Sequence, residues 1–459
     1  MADLKTATND AGSWQKTGNR AARRKNAKKS TGGRPQDNPL RPLFTRSAPR
    51  VHFSALAKPA GAACNLDCTY CFFLSKELLT ETQQMSEEGL RTYLMNFLDS
   101  QPDGDVTIEW QGGEPTLRGV DFFEHAVALA EQLKRPEQRI HHAIQTNGTL
   151  LDDRWGKFLA DNHFLVGISI DGPEEYHDIY RVNRAGHGTQ KQVIRGWNIL
   201  QKYNVDTNIL CTVHAGNEDH ALEVYRYFRD ELGAQYIQFI PIVERVTRAE
   251  LPLAEAGWHD KHTKRPLYRQ EGSDVTSRSV EPIKLGHFLS AIYDEWVRRD
   301  VGKVFVQLFD VTLGNALGEY TLCTHAPVCG GEVAVLHTGE IYACDHWVEP
   351  GYERGNVATR SLADVVASPE QREFGMDKFT GLSEQCKKCP VRWACNGGCP
   401  KDRFIPAKDG VHQQNYLCPG YYQFFNHIQP DIEIMARMVQ NNQEVSAIME
   451  MKKREDLAA

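Results

Sequence analysis

From residue 51 to about residue 243, short apolar runs alternate with longer amphipathic stretches, a pattern that predicts repeated βα units around a parallel sheet. Six runs rich in Val, Ile, Thr or aromatic residues read as strands: 51–58, 105–111, 139–146, 165–171, 205–213 and 235–242. Between the first two, Ser86 precedes Glu87 and Glu88, and Leu90, Leu94, Phe97 and Leu98 follow at helical spacing. A helix is expected there, with Ser86 as its N-cap and two carboxylates at the positive end of its dipole. Six units fall short of the eight that close a full barrel, so the predicted class is α/β with an incomplete barrel. Chemistry in such sheets gathers at the C-terminal strand ends, which directs attention to the loop after each strand.

Beyond the sixth strand the pattern weakens. Residues 257–282 are polar and follow neither period, which suggests a flexible cover or an insertion. A helix is expected over 283–299, and after Cys323 the chain becomes rich in cysteines and turns. Within that region two strand-like runs flank Thr338-Gly339, predicting a hairpin over 332–344.

Composition narrows the class. With 41% hydrophobic and 25% charged residues and no apolar run near the ~20 residues that span a bilayer, the chain reads as a globular protein without a membrane segment. The first thirty residues lack the apolar stretch of a secretion signal, so a cytoplasmic location is expected. The net charge of -7 is unevenly spread: residues 1–50 carry twelve Lys or Arg against three Asp, leaving 41 basic and 57 acidic side chains in residues 51–459. The first fifty residues read as a basic, disordered leader, and the acidic body argues against nucleic acid as the main partner. Twelve cysteines in a chain without an export signal point away from disulfides and toward metal or redox chemistry.

Spacing sorts those cysteines. Cys64, Cys68 and Cys71 lie within eight residues just after the first strand. A tetrahedral zinc site usually takes four protein ligands, whereas three thiolates on a 4Fe-4S cube leave one iron open. Eight more, Cys323, Cys329, Cys344, Cys386, Cys389, Cys395, Cys399 and Cys418, form C-x5-C-x14-C, then C-x2-C-x5-C-x3-C and a late Cys, enough for two sites of four. A pair of zinc sites remains the alternative for this region. Cys211 sits inside an apolar strand run and reads as a core thiol. The second strand ends in Gln111-Gly112-Gly113-Glu114-Pro115, whose glycines allow close backbone approach and whose carboxylate can accept from an ammonium group.

The CxxxCxxC loop, with an aromatic residue before its last Cys and the GGEP sequence one unit later, resembles the radical S-adenosylmethionine (SAM) enzymes. The C-terminal cysteines resemble the SPASM extension found on members of that family that modify peptides. The resemblance covers about residues 51–425. It implies a partial (β/α)6 TIM-like barrel over 51–300, a Cys-rich SPASM domain over 301–425, and a C-terminal helix and charged tail over 426–459. It also implies SAM and three [4Fe-4S] clusters as cofactors. The first cluster would be held by Cys64, Cys68 and Cys71, the second by Cys323, Cys329, Cys344 and Cys399, and the third by Cys386, Cys389, Cys395 and Cys418. SAM would be held by Gln111, Gly112, Gly113 and Glu114 at its amino group and by Ser169 and Arg181 at its ribose and carboxylate, with Tyr70 near the adenine.

Asp345 directly follows Cys344, in a stretch that resembles the anaerobic sulfatase-maturating enzymes, where the corresponding Asp is the proposed general base. The implied reaction is oxidation of a Cys or Ser residue in a sulfatase polypeptide to Cα-formylglycine, with flavodoxin or ferredoxin as electron donor. An ionised Asp can accept the thiol or hydroxyl proton, and auxiliary clusters can take the leaving electron. Two alternatives stand beside it: another SPASM peptide modifier that forms a thioether or crosslink, and a non-catalytic zinc or iron-sulfur scaffold. The leader is shorter and more polar than the ~80–90 residue peptide-binding domain that a dedicated maturase often carries, which favours the sulfatase reading.

Overall fold

A computed structural model describes residues 46–80, 84–258 and 265–458. All but the last five residues of the expected leader (1–50), and part of the expected cover at 259–264, lie outside the described residues.

The six expected strands form, within one or two residues at each end in most cases: β1 (Ser54–Lys58), β2 (Gly104–Trp110), β3 (Gln138–Thr146), β4 (Leu165–Ser169), β5 (Asp206–Val213) and β6 (Tyr236–Pro241). They lie side by side in chain order, and every neighbouring pair is parallel. Period-two burial explains β2, where Val106, Ile108 and Trp110 point into the core. Trp110 meets Tyr93, Phe122 and Phe123 edge-on, geometry worth ~0.5–1.5 kcal/mol per pair beyond the buried area. The helix Glu87–Ser100 starts as expected, because the Ser86 hydroxyl accepts from the Gly89 N–H at 3.0 Å. Its apolar face, with Leu90, Tyr93, Leu94, Phe97 and Leu98, packs into the core, and the Tyr93 hydroxyl donates to the Ala55 carbonyl of β1. Cys211 is fully buried in β5, as its apolar run suggested.

The expected hairpin forms from the strands Glu332–Leu336 and Glu340–Tyr342, turning at Gly339 with φ +91°. Its placement could not be read from its own sequence. Glu332–Leu336 pairs in parallel with β1, so the Cys-rich region is built onto the barrel sheet itself. With Glu353–Asn356 beyond the hairpin and Phe305–Val306 beside β6, the sheet has ten strands and two free edges. An open sheet of this kind is the incomplete α/β barrel expected from the pattern.

The structure adds detail in two other regions. The polar stretch after Gly257 is anchored where it is described: Asp274–Val275 pairs with Arg245–Val246, and Trp258 and Tyr268 pack with Val246 and Ala254. The charged C-terminal tail is helical over Ile448–Ala458 and is tied down by ion pairs from Arg298 to Asp456 and from Lys452 to Asp431. The helix before it, Cys418–Gln440, runs unbroken through position 426. None of the described helices is long and apolar enough to cross a membrane.

Candidate active site

The site grows from the strand ends. After Lys58 the chain turns through Gly61–Ala63 into Cys64, Cys68 and Cys71, while β2 runs into Gln111-Gly112-Gly113-Glu114. These loops interlock: the Gly113 N–H donates to the Gly61 carbonyl and the Glu114 N–H to the Ala63 carbonyl, both at 2.8 Å. A Cβ on Gly113 would stand 2.1 Å from the Ala63 carbonyl oxygen, and one on Gly112 (φ +136°) 2.8 Å from that of Gly61. The glycines therefore admit the close approach of the protein's own cysteine loop.

Glu114 is buried and heavily used. Its Oε1 accepts from the Thr116 N–H and from the hydroxyls of Thr116 and Thr146, and its Oε2 accepts from the Asn147 N–H at 2.7 Å. The carboxylate thus braces the ends of β2 and β3 against each other. Burial raises its pKa, and these donors pull it back. Oε2 keeps acceptor capacity beyond Asn147, since an ionised carboxylate offers about four lone-pair sites.

Tyr70 and Arg181 converge on Asp171, two residues after Ser169 and not among the expected site residues. Asp171 Oδ2 accepts from the Tyr70 hydroxyl at 2.6 Å and from Arg181 Nε at 2.8 Å, and Oδ1 accepts from the Thr212 N–H. Arg181 also donates to the Thr212 hydroxyl and lies over the Tyr70 ring. Burial alone would raise the Asp171 pKa; Arg181 and His214 outweigh it and hold the carboxyl well below the usual range. Ser169, at the end of β4, accepts from the Gln145 side chain at 3.1 Å.

Asp345 follows Cys344 on a single 3-10 turn, Asp345–Trp347, and its Oδ1 forms an ion pair with Lys58. Burial pushes its pKa up, but Lys58 above all, with His346 and Lys76, brings it below the usual carboxylate value, so the side chain is ionised at neutral pH. Lys58 was not singled out in the sequence. Its signal was a lone charge at the C-terminal end of an otherwise apolar first strand, where chemistry is expected.

The cysteines group by place. Cys64 and Cys68 each interact electrostatically with Cys71 and Cys68 with Cys64, while burial, aided by the Glu114 carboxylate, pushes the Cys64 thiol up to about 12. Cys323 feels Cys399 and Cys329, and Cys344 feels Cys399 and Cys323. Cys395 feels Cys418, Cys386 and Cys389, and Cys418 feels Cys386 and Cys389. The cysteines that act on one another in this way come from the Cys64–Cys71 loop, from Cys323, Cys329, Cys344 and Cys399, and from Cys386, Cys389, Cys395 and Cys418. All twelve cysteines are free thiols, and no group of three or more His, Cys, Asp or Glu among the described residues is gathered tightly enough to hold a single metal ion. A donor set of three thiols and two of four, free of disulfides, fits iron-sulfur clusters; loading them requires the raised thiols to give up their protons.

Comparison with known proteins agrees. A radical SAM superfamily model matches residues 59–228, and an iron-sulfur cluster-binding domain, SPASM, matches residues 323–390. The serine-type anaerobic sulfatase-maturating enzyme of Bacteroides thetaiotaomicron is 40% identical over 402 residues, covering 87% of this chain and 94% of that protein. The chain belongs to the anaerobic sulfatase-maturating enzymes. The cysteine-type enzyme of Clostridium perfringens is 32% identical over 383 residues, 82% of this chain and 96% of that one. Native anSMEcpe, solved with AdoMet and a peptide bound, superposes with a TM-score of 0.70 at 31% identity, covering 84% of this chain and 99% of that chain. Streptococcus suis SuiB, at 14% identity and a TM-score of 0.52, shares the fold. This sulfatase-maturating enzyme is thus a radical SAM oxidoreductase, and its two matched domains make SAM and [4Fe-4S] clusters its cofactors.

Proposed function

We propose that this chain oxidises a Ser or Cys residue in a sulfatase polypeptide to Cα-formylglycine, with Asp345 as the general base. One observation carries the role of Asp345: its carboxylate, beside Cys344, ion-pairs with Lys58, which in turn donates to Gln111 Oε1 at the strand ends that also carry Cys64, Cys68 and Cys71. A base held there stands between the SAM-binding loops and the C-terminal cysteines, where a side chain that loses a Cβ hydrogen must also lose a proton and an electron.

In this reading Cys64, Cys68 and Cys71 hold the first cluster, Cys323, Cys329, Cys344 and Cys399 the second, and Cys386, Cys389, Cys395 and Cys418 the third. Bound SAM at the first cluster would supply a radical able to abstract hydrogen from the substrate Cβ. The chain's own residues do the rest. Gln111, Gly112, Gly113 and Glu114 frame the amino group of SAM, Ser169 and Arg181 its ribose and carboxylate, and Tyr70 its adenine side. Asp345 takes the proton from the substrate hydroxyl or thiol. Clusters held by the C-terminal cysteines would supply an acceptor for the electron that the substrate carbon radical must also lose.

Residues 51–300 then serve as the SAM-binding core, 301–425 as the auxiliary-cluster unit and 426–459 as a helical closure, with the first fifty residues as leader. The substrate is an unfolded or nascent sulfatase, the electron donor a flavodoxin or ferredoxin, and the working compartment the cytoplasm. Higher identity to a serine-type relative makes a Ser peptide the first substrate to test. With reconstituted enzyme, SAM, reductant and a peptide carrying a Ser or Cys sulfatase motif, mass spectrometry should detect formylglycine. Asp345→Asn should lower its formation by about 100-fold or more while 5'-deoxyadenosine release continues. Equal loss of both products would remove the base role.

A further inference from the structure

Lys58 is an unusual residue in its setting. It ends β1, is 1% exposed, and reaches three segments that the fold brings to one point. Its ammonium pairs with Asp345 Oδ1, donates to Gln111 Oε1 at 2.8 Å, and lies 4.9 Å above the centre of the Phe73 ring. Phe73 follows Cys71 by two residues, Gln111 opens the Gly-Gly-Glu-Pro loop, and Asp345 follows Cys344. Among the described residues, Lys58 is the one cation within ion-pair distance of Asp345. The Asp345 side chain is 14% exposed against 1% for Lys58, so the ion pair is buried on its Lys58 side and Asp345 keeps the more accessible end. A carboxylate on a single 3-10 turn has little else to fix its direction, since that turn has no side-chain cap.

We propose that Lys58 is the positioning residue for Asp345. It anchors the carboxylate by Oδ1, leaves Oδ2 to receive the substrate proton, and through Gln111 ties that orientation to the loop that frames SAM. The inference rests on Asp345 acting as base, and Lys58 itself takes no proton. An ammonium held by two oxygens and an aromatic face is well suited to this, because its rigid surroundings fix the base at the distance that proton transfer demands.

The test uses the full-length, cluster-loaded enzyme and a sulfatase-motif peptide. Four quantities are read: kcat, KM for peptide, formylglycine formed per 5'-deoxyadenosine, and iron and sulfide per chain. In Lys58→Met the product ratio should fall about tenfold or more through kcat, with KM, iron and SAM cleavage near wild type, as expected for a misplaced catalytic group. Lys58→Arg, which keeps the charge, should recover part of the ratio. Combining Lys58→Met with Asp345→Asn should be no worse than Asp345→Asn alone, since both act through one carboxylate. A wild-type ratio in Lys58→Met would overturn the proposal, as would losses that multiply in the double variant. Should Lys58→Met load clusters poorly, Lys58→Gln replaces it, and cluster loss in both would make Lys58 structural only. If Asp345→Asn alone leaves the ratio unchanged, the base reading itself fails, an outcome distinct from any failure of Lys58.

Discussion

The three-cysteine loop and the eight C-terminal cysteines sit among different charged partners. Around Cys64, Cys68 and Cys71 the nearby fixed charges include the carboxylates of Glu114 and Asp171, the latter balanced by Arg181, and the loop lies at the open strand ends. Around the C-terminal sets the carboxylates of Glu332 and Asp402 are joined by two buried cations, Lys378 and Arg403. Lys378 is fully buried and donates to the carbonyls of Cys323 and Thr324, and Arg403 donates to the carbonyls of Lys378, Asn396, Gly397 and Gly398. Arg403 feels Cys386, Cys399, Cys395 and Cys329, so one guanidinium faces both sets of four. The difference matches two tasks. A site that must admit and orient a zwitterion offers acceptors at the strand ends; a site that must hold an extra electron gains from buried cations such as Lys378 and Arg403.

The largest expected break in this contrast comes from removing one thiol on each side. Cys68→Ala should abolish 5'-deoxyadenosine formation altogether. Cys395→Ala should leave SAM cleavage measurable while stopping formylglycine, and either variant should lose about four of about twelve iron atoms per chain. Chromatography of both products, with iron analysis, checks this. Equal effects of the two substitutions would erase the functional distinction between the regions.

A smaller effect is expected at Asp171, which organises the open side. Asp171→Asn leaves Arg181, itself buried, without its counter-charge, a change that costs ~3–5 kcal/mol for a buried pair. SAM affinity should fall as Arg181 and Tyr70 lose their common partner. The acid dependence carries a sign. Because the folded protein holds this carboxyl below its ordinary value, its contribution is present above the unfolded-state pKa near ~4 and is lost as pH falls below that. Asp171→Asn should therefore flatten the acid limb of the stability curve, measured by denaturant titration at several pH values. An unchanged limb would mean that other carboxylates govern it.

These substitutions also mark where sequence reading succeeded and stopped. The cysteine motifs were legible because spacing is a local property that the chain displays directly, while their grouping into sets of four rested on the resemblance, and β1 to β6 were legible because short apolar runs such as Val106, Ile108 and Trp110 stand out over a short window. Asp171 was not. Its Asp-Gly context has a sufficient local explanation as a turn, and its partners Tyr70, Arg181 and Thr212 come from three other segments. Lys58 escaped notice for the same reason, since a strand-end lysine is ordinary until Asp345 is brought to it across the fold. The parallel pairing of Glu332–Leu336 with β1 was hidden because a five-residue apolar run specifies a strand but not its distant neighbour.

The smallest expected effect is electronic, and it concerns one buried cation beside the C-terminal cysteines. Lys378 has no role in the open site: its ammonium is spent on the carbonyls of Cys323 and Thr324, and its electrostatic neighbours are Cys323, Cys329 and Cys399. Burial favours its neutral form, and those sulfurs favour the charged one. A positive charge there stabilises the reduced, more negative state of whatever cluster those cysteines hold, so Lys378→Met should lower that cluster's midpoint potential, whereas Lys378→Arg should largely keep it. The first cluster should be unaffected, because Cys64, Cys68 and Cys71 interact with Glu114, Asn147, Arg181 and Arg265 and not with Lys378. Redox titration followed by electron paramagnetic resonance reads the clusters separately, and SAM cleavage at wild-type rate provides the internal control. A shift confined to the C-terminal set would show that the two regions are tuned independently; a shift in all the clusters together would mean that the cations act on the whole sheet rather than on the sites they line.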